Sequence, residues 1–456
     1  MLLALASVAI AVASLVWPGK YLASSNLKNA HFWVPLSLAL FSTAGLAVSQ
    51  VRQAFGVVAA VLLVSIMAAE VWLAGQPTID PFAKELKVVS SLAASRGDVV
   101  DVRPIEQVVK DMRADGIQAF PINSVGTFLA QSGPHGDPTM RIGEMPVFPL
   151  TPVRKAELVY CNESGRWFTY SSDRFGFNNP NDLWNQPNEM MIIGDSFASG
   201  ACLASPAKGL LDVLRSRYPN LISLASPSSG PLLQLAIFKE YGARQQPRQV
   251  VWFFSDHDIL PFEQERALPW LRAYLAPGHT NDLAALQDQT DPKLRAILDK
   301  AIAREQVPRR RSVMSILRDS ALLLHLRASR GLTSCPARSD EVFKDLERTF
   351  RQAKDAVAAG GGKLMVVYMP SSGSTCDLFG ERSPRSSWLY GGALRVFSEV
   401  GLEVIDLRAD YEMRSRPPEY YWFSGSHFTE AGAKWFAENI LAAVEQHDGA
   451  RLSPLN

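Results

Sequence analysis

Five short candidate strands in the second half of the chain, most of their residues apolar, constrain the fold most. Residues 190–193, 221–225, 249–254, 364–369 and 403–407 are each four to six residues long and end in small or polar residues. Helical spacing of apolar residues separates them, over 207–217, 232–244, 341–359 and 386–400. Runs of this length suit strands buried on both faces, and helices between consecutive strands predict a parallel sheet covered on both sides. The stretch 260–333 is too long for a plain loop. It carries helical patterns at 292–304 and 312–327 and reads as a helical insertion. Arg309, Arg310 and Arg311 lie between those patterns and read as a solvated helix cap.

The first run, Met190-Met191-Ile192-Ile193, stops at Gly194-Asp195-Ser196-Phe197-Ala198-Ser199-Gly200. This reads as a strand, a tight turn and a helix start, with the Ser196 hydroxyl at the carboxyl edge of the sheet. Open α/β sheets bind ligands at that edge. Amides at a helix start can stabilise negative charge developing beside such a serine. A strand, turn and capping Ser or Asp would leave the same pattern. Far downstream, Ser424-Gly425-Ser426-His427-Phe428-Thr429-Glu430-Ala431-Gly432 opens the last helical pattern, which runs through Trp435-Phe436-Ala437 and on to Leu441.

An early serine on a strand–turn–helix and a histidine before the last helix give the order of the SGNH (GDSL-type) hydrolases. From about Tyr160 to Gln446 the sequence resembles that family, on Gly194-Asp195-Ser196 and on His427 with Thr429 and Gly432. The resemblance implies a doubly wound, flavodoxin-like sheet of about five strands, with no cofactor or metal. It implies Ser196 as nucleophile and His427 as the base that takes its proton. Three supports depart from the family. The oxyanion amide after the second strand falls on Ser228 or Gly230, beside that of Ser196. His257 stands where an asparagine donates to the oxyanion; an imidazole N–H can do the same. Three residues before His427 the family has an aspartate, and here Ser424 is found. Its hydroxyl can fix the ring tautomer but brings no charge. Asp256, Asp258 and Glu430 are the carboxylates that could substitute.

Residues 2–17, 31–49 and 54–75 are apolar and uncharged, interrupted only by Glu70, and each approaches the ~20 residues that span a bilayer. The first lacks the basic start of a signal peptide. Residues 1–75 therefore read as a three-helix membrane anchor, 76–155 as a polar lead-in and 156–450 as the SGNH-like domain. Lys20, Lys28 and Arg52 are too few to orient the anchor, and lean weakly towards a cytoplasmic domain. The resemblance favours the inner (plasma) membrane with the domain outside the cytoplasm. A net charge of +1 and the lack of basic runs argue against nucleic-acid partners.

Cys161, Cys202, Cys335 and Cys376 are too scattered for a zinc site. They allow two disulfides or four free thiols. In an oxidising compartment the partners nearer in sequence, Cys161–Cys202 and Cys335–Cys376, close the less costly loops. Two functions stay open. One is an esterase, deacetylase or O-acyltransferase acting on an envelope glycan or lipid ester. The other is a catalytically weakened SGNH-like domain serving a membrane protein complex as a binding or assembly subunit.

Overall fold

The structure is a computed structural model that describes residues 81–97, 99–122, 140–203, 209–303, 340–370, 388–413, 418–423 and 426–449, with isolated positions at 61 and 65. The chain divides into two compact units, and nearly all described residues belong to the second: Phe82–Glu305, Glu341–Ser374 and Glu381–Asn456. Save Val61 and Ser65, the three apolar runs lie outside the described residues. So do the 312–327 pattern, Arg309–311, Ser424, Cys335 and Cys376. Among the described residues no helix is long and apolar enough to cross a membrane.

The lead-in forms helices α1 (Pro81–Arg96) and α2 (Ile105–Ala114) and strands β1 (Ala119–Pro121), β2 (Met140–Ile142) and β3 (Met145–Val147). Strands β4 (Glu157–Val159) and β5 (Thr169–Ser171) follow. β1 pairs in parallel with β4, and β4 pairs antiparallel with β5, making a small sheet that sequence reading did not anticipate. The region expected as a polar spacer thus supplies an edge strand to the segment that follows it.

The main sheet contains β6 (Met190–Ile193), β7 (Ile222–Ser223), β8 (Gln249–Phe254), β9 (Lys363–Tyr368) and β10 (Glu403–Asp406). Its order is β7-β6-β8-β9-β10, every neighbour parallel. That order, 2-1-3-4-5 within the sheet, is flavodoxin-like, with the switch point beside β6. The connecting helices are α3 (Leu210–Arg217), α4 (Pro231–Ile237), α5 (Ile259–Glu265), α6 (Gln287–Ala303), α7 (Asp340–Ala359) and α8 (Trp388–Val400). α9 (Leu407–Met413) and α10 (Glu430–Gly449) complete it.

Alternation along β8 shows why the strands are largely apolar. Val251 and Phe253 face a cluster with Leu210, Leu214, Phe436 and Ile440 of α3 and α10. Trp252 and Phe254 face the other way, with ring centroids 4.8 Å from Phe350 of α7 and 5.2 Å from Phe397 of α8, respectively. With helices on both faces, chemistry is left to the strand ends.

One buried carboxylate ties the loop after β7 to α5. Glu265 is fully buried and accepts the amides of Gly230 (2.5 Å), Leu232 (3.2 Å) and Leu233 (3.1 Å). Burial pushes its carboxyl up to about 7 against the pull of those amides. Burial likewise pushes Asp173 up and Asp258 well up. A carboxyl with a folded value above its unfolded one holds its proton more tightly in the folded chain. Its stability contribution is therefore full below pH 4.5 and lost as the pH rises through 7. Urea unfolding should show greater stability at pH 5 than at pH 8. Glu265→Gln should lose part of that difference, on the order of 3 kcal/mol at about 1.4 kcal/mol per pKa unit. Equal pH slopes in the two proteins would contradict this.

Candidate active site

The serine is placed by the abrupt end of β6. At Gly194 a side chain would put its Cβ 2.7 Å from Ala198 Cβ and 2.9 Å from Phe253 Cβ, so only glycine lets the chain turn there. Asp195 Oδ1 accepts the Phe197 amide at 2.9 Å and closes the turn. Ser196 sits at its head, 7% exposed.

The histidine is placed by the start of α10. Thr429 donates its amide to Tyr420 O at 3.0 Å and its hydroxyl to Glu419 O, and accepts the Gly432 amide at 3.2 Å. A Cβ at Gly432 would lie 2.1 Å from Tyr420 O, which accounts for the glycine in the motif. The Phe197 ring lies against the imidazole, centroids 4.7 Å apart. Ser196 Oγ and His427 Nε2 are 2.7 Å apart across 231 residues of sequence.

Behind the imidazole stands Glu163, which the sequence reading did not single out. Its Oε1 lies 2.8 Å from His427 Nδ1, and its Oε2 accepts the His427 amide at 2.6 Å. A carboxylate only accepts, so Nδ1 carries the proton and Nε2 is free to take that of Ser196. The side chains of His427 and Glu163 are 14% and 11% exposed, which strengthens their attraction over that of a surface pair. Glu163 lies on the β4–β5 hairpin tip. That tip is held by Phe168 N donating to Cys161 O at 2.8 Å and by Asn162 Nδ2 donating to Asp101 O at 2.5 Å.

Ser424, expected to support the ring, lies outside the described residues; among the described residues Nδ1 is met by the Glu163 carboxylate. The other carboxylates considered are occupied or elsewhere. Asp256 is paired with Arg408 and accepts from Tyr368 Oη at 2.5 Å. Asp258 accepts from the Ser255 amide at 2.6 Å and from Gln234 Nε2 at 3.1 Å. Glu430 begins α10 and is not the group behind the ring.

On the oxyanion side the structure separates the two alternatives. The Gly230 amide donates to Glu265 and is not available. Ser228 is exposed and has φ +57°, a left-handed conformation that glycine adopts freely and serine does at some cost. It thus keeps the backbone form of a glycine while carrying a hydroxyl. His257 lies just past β8 beside Phe197, centroids 6.3 Å apart, and its buried Nε2 has no hydrogen-bond partner among the described residues. Such a nitrogen is costly to leave unpaired.

Tyr160, at the end of β4, also went unnoticed in the sequence. Its phenol lies near the Ser196 and Ser228 side chains. Its ring meets that of His427 edge-on at 6.3 Å. Burial, and then the charges of Glu163 and Asp195, push the phenol up, so it remains a neutral donor at working pH. The Cys161–Cys202 pairing is present, with Cα atoms 5.4 Å apart. Glu163, Cys202 and His427 offer possible metal ligands within 4.8 Å of one another. With Cys202 in a disulfide and both ring nitrogens engaged, the three side chains do not form a free ligand set for a metal.

No family profile matches the chain, and no curated protein sequence matches it. Among solved structures it is similar to an acetyl xylan esterase, at 12% identity over 56% of this chain and 99% of that one, TM-score 0.31. It is similar to a lipase/acylhydrolase from Enterococcus faecalis, at 15% identity over 59% and 99% of the two chains, TM-score 0.31. A third is an alpha/beta hydrolase enzyme from a lake metagenome, at 13% identity over 56% and 94%, TM-score 0.30.

Glu163→Gln keeps the size of the side chain and removes its charge. In the serine-protease triad the corresponding change costs about 10⁴ in rate. The rate at which a fluorophosphonate modifies Ser196 should fall by about 10³–10⁴ in Glu163→Gln, and Glu163→Asp should retain part of it. An unchanged labelling rate would contradict the role given to Glu163.

Proposed function

We propose that this chain is a membrane-anchored, SGNH-type acyl-ester hydrolase or O-acyltransferase, working on an envelope glycan or lipid outside the cytoplasm. The observation that carries the chemistry is the Ser196–His427–Glu163 relay, with contacts of 2.7 Å and 2.8 Å. A weakened domain kept only for assembly has no need of a carboxylate brought in from another sheet to complete that relay. The apolar runs in residues 1–75 support the anchor. The Cys161–Cys202 bond supports an oxidising compartment.

In the proposed reaction Ser196 Oγ attacks the acyl carbonyl carbon, and its proton passes to His427 Nε2. Glu163 stabilises the imidazolium that forms. The carbonyl oxygen, now negative, is met by the amides of Ser196 and Ser228 and by the donors of Tyr160 and His257. Collapse breaks the ester C–O bond, and the leaving alkoxide takes the proton from Nε2. The acyl-serine is then resolved by water or by an acceptor hydroxyl, whose proton follows the same route back to Ser196. No step calls for a cofactor.

Assays of the full chain in detergent on p-nitrophenyl acetate and acetylated glycans test the reading. Ser196→Ala and His427→Ala should each lose nearly all turnover to a similar extent, because the pair acts as a unit. A wild type as inert as Ser196→Ala on every ester would favour the assembly function. Turnover surviving Ser196→Ala would remove the nucleophile assignment.

A further inference from the structure

Glu163 reaches the relay from the β4–β5 hairpin, not from the loop before His427. A covalent link binds that hairpin to the nucleophile's segment. Cys161 is two residues before Glu163, and Cys202 is six residues after Ser196. The link runs through the site itself, since Cys202 Sγ lies 3.2 Å from His427 Nδ1, the nitrogen that Glu163 holds. Cys202 is buried and has φ +66°, a left-handed conformation unfavourable for a side-chain-bearing residue. Trp422 Nε1 donates to Cys202 O at 3.1 Å, tying the same residue to the loop that carries His427.

We infer that the Cys161–Cys202 disulfide is the positioning element of the relay: it holds Glu163 on His427, and breaking it disables the site without unfolding the domain. The inference rests on the proposed acyl chemistry. Reduction by a dithiol breaks the S–S bond and leaves Cys161 and Cys202 as thiols, while the dithiol closes to its own disulfide. Two thiol sulfurs cannot stay as close as bonded ones. Either Cys202 moves against the His427 ring, or Cys161 moves and takes the hairpin tip with it. Both movements disturb the Glu163–Nδ1 contact. A misplacement of about 1 Å in such a constellation can cost about 10² in rate. Compartments that keep thiols reduced would therefore hold the site inactive, and oxidising ones would assemble it.

The test uses the full chain in detergent, oxidised and then reduced with a dithiol. A chelator is included, because a freed Cys202 thiol beside Glu163 and His427 could bind a metal. Thiol titration counts the bonds opened, and Cys161→Ser/Cys202→Ser separates this bond from Cys335 and Cys376. On p-nitrophenyl acetate, reduction should lower kcat about 100-fold with KM changed less than about twofold. In Glu163→Gln, reduction should cost almost nothing further, because the contact it disturbs no longer carries charge. Equal losses in wild type and Glu163→Gln, or full activity after reduction, would overturn the inference.

A second measurement does not depend on turnover. The low-field proton resonance of an Nδ1–H donating to a carboxylate should appear in the oxidised wild type. It should vanish on reduction, in the double serine variant and in Glu163→Gln. A resonance that survives reduction overturns the inference even if the protein hydrolyses nothing. An inert oxidised protein with a redox-sensitive resonance would support the inference while refuting the proposed function. A cooperative melt retained on reduction, lowered only by the several degrees that a lost cross-link costs, should show that the loss is positional, and a collapsed melt would overturn that part.

Discussion

One carboxylate joins a serine and a histidine into a single hydrogen-bonded array. Glu163 spans the backbone amide and the ring Nδ1 of His427, fixing rotamer and tautomer together. The ring's remaining nitrogen then faces Ser196 in its accepting form. Without a buried negative charge at that position, proton transfer from a serine hydroxyl would create an imidazolium with little to stabilise it. The rest of the architecture serves this contact. The main sheet delivers the two partners to its carboxyl edge, and a small lateral sheet delivers the third.

The two sheets contribute in different ways. In the main sheet, close packing against both faces leaves no choice about where polar side chains can work. Gly194 and Gly432 mark where backbone must pass too close to a neighbour for any side chain. In the lateral sheet the strands are short, and the hairpin tip carrying Glu163 depends on a few hydrogen bonds and one disulfide. Loops positioned by a rigid scaffold are a common place for function, and also its weakest mechanical part. Tyr160, on the same hairpin, places a neutral phenol in the neighbourhood of the serine.

The strands of the main sheet were legible because strands covered on both faces are mostly apolar and end in residues that turn. The observed β6 and β8 match the candidate strands residue for residue, and β7, β9 and β10 differ only at their ends. Ser196 and His427 were legible for a related reason, since each sits at a turn with local chemistry of its own. Glu163 was not. It is a single acidic residue on a hairpin of three-residue strands, and its partner is 264 residues away. The one sequence signal was indirect: pairing Cys161 with Cys202 brings the neighbourhood of Glu163 to that of Ser196. Ser228 and Gly230 could not be separated by sequence either. The choice turned on Glu265, 35 residues further on, which takes the Gly230 amide.

If Glu163 acts on Ser196 only through His427, a double-mutant cycle on acylation of Ser196 will show the two side chains to be fully coupled. Rates would be measured for wild type, Glu163→Gln, His427→Ala and the double variant. If the carboxylate works only by holding and charging the imidazole, the double variant should react as slowly as His427→Ala alone, within about threefold. Multiplicative losses, with the double variant slower by the full Glu163→Gln factor, would mean that the two side chains act independently and that the relay does not exist.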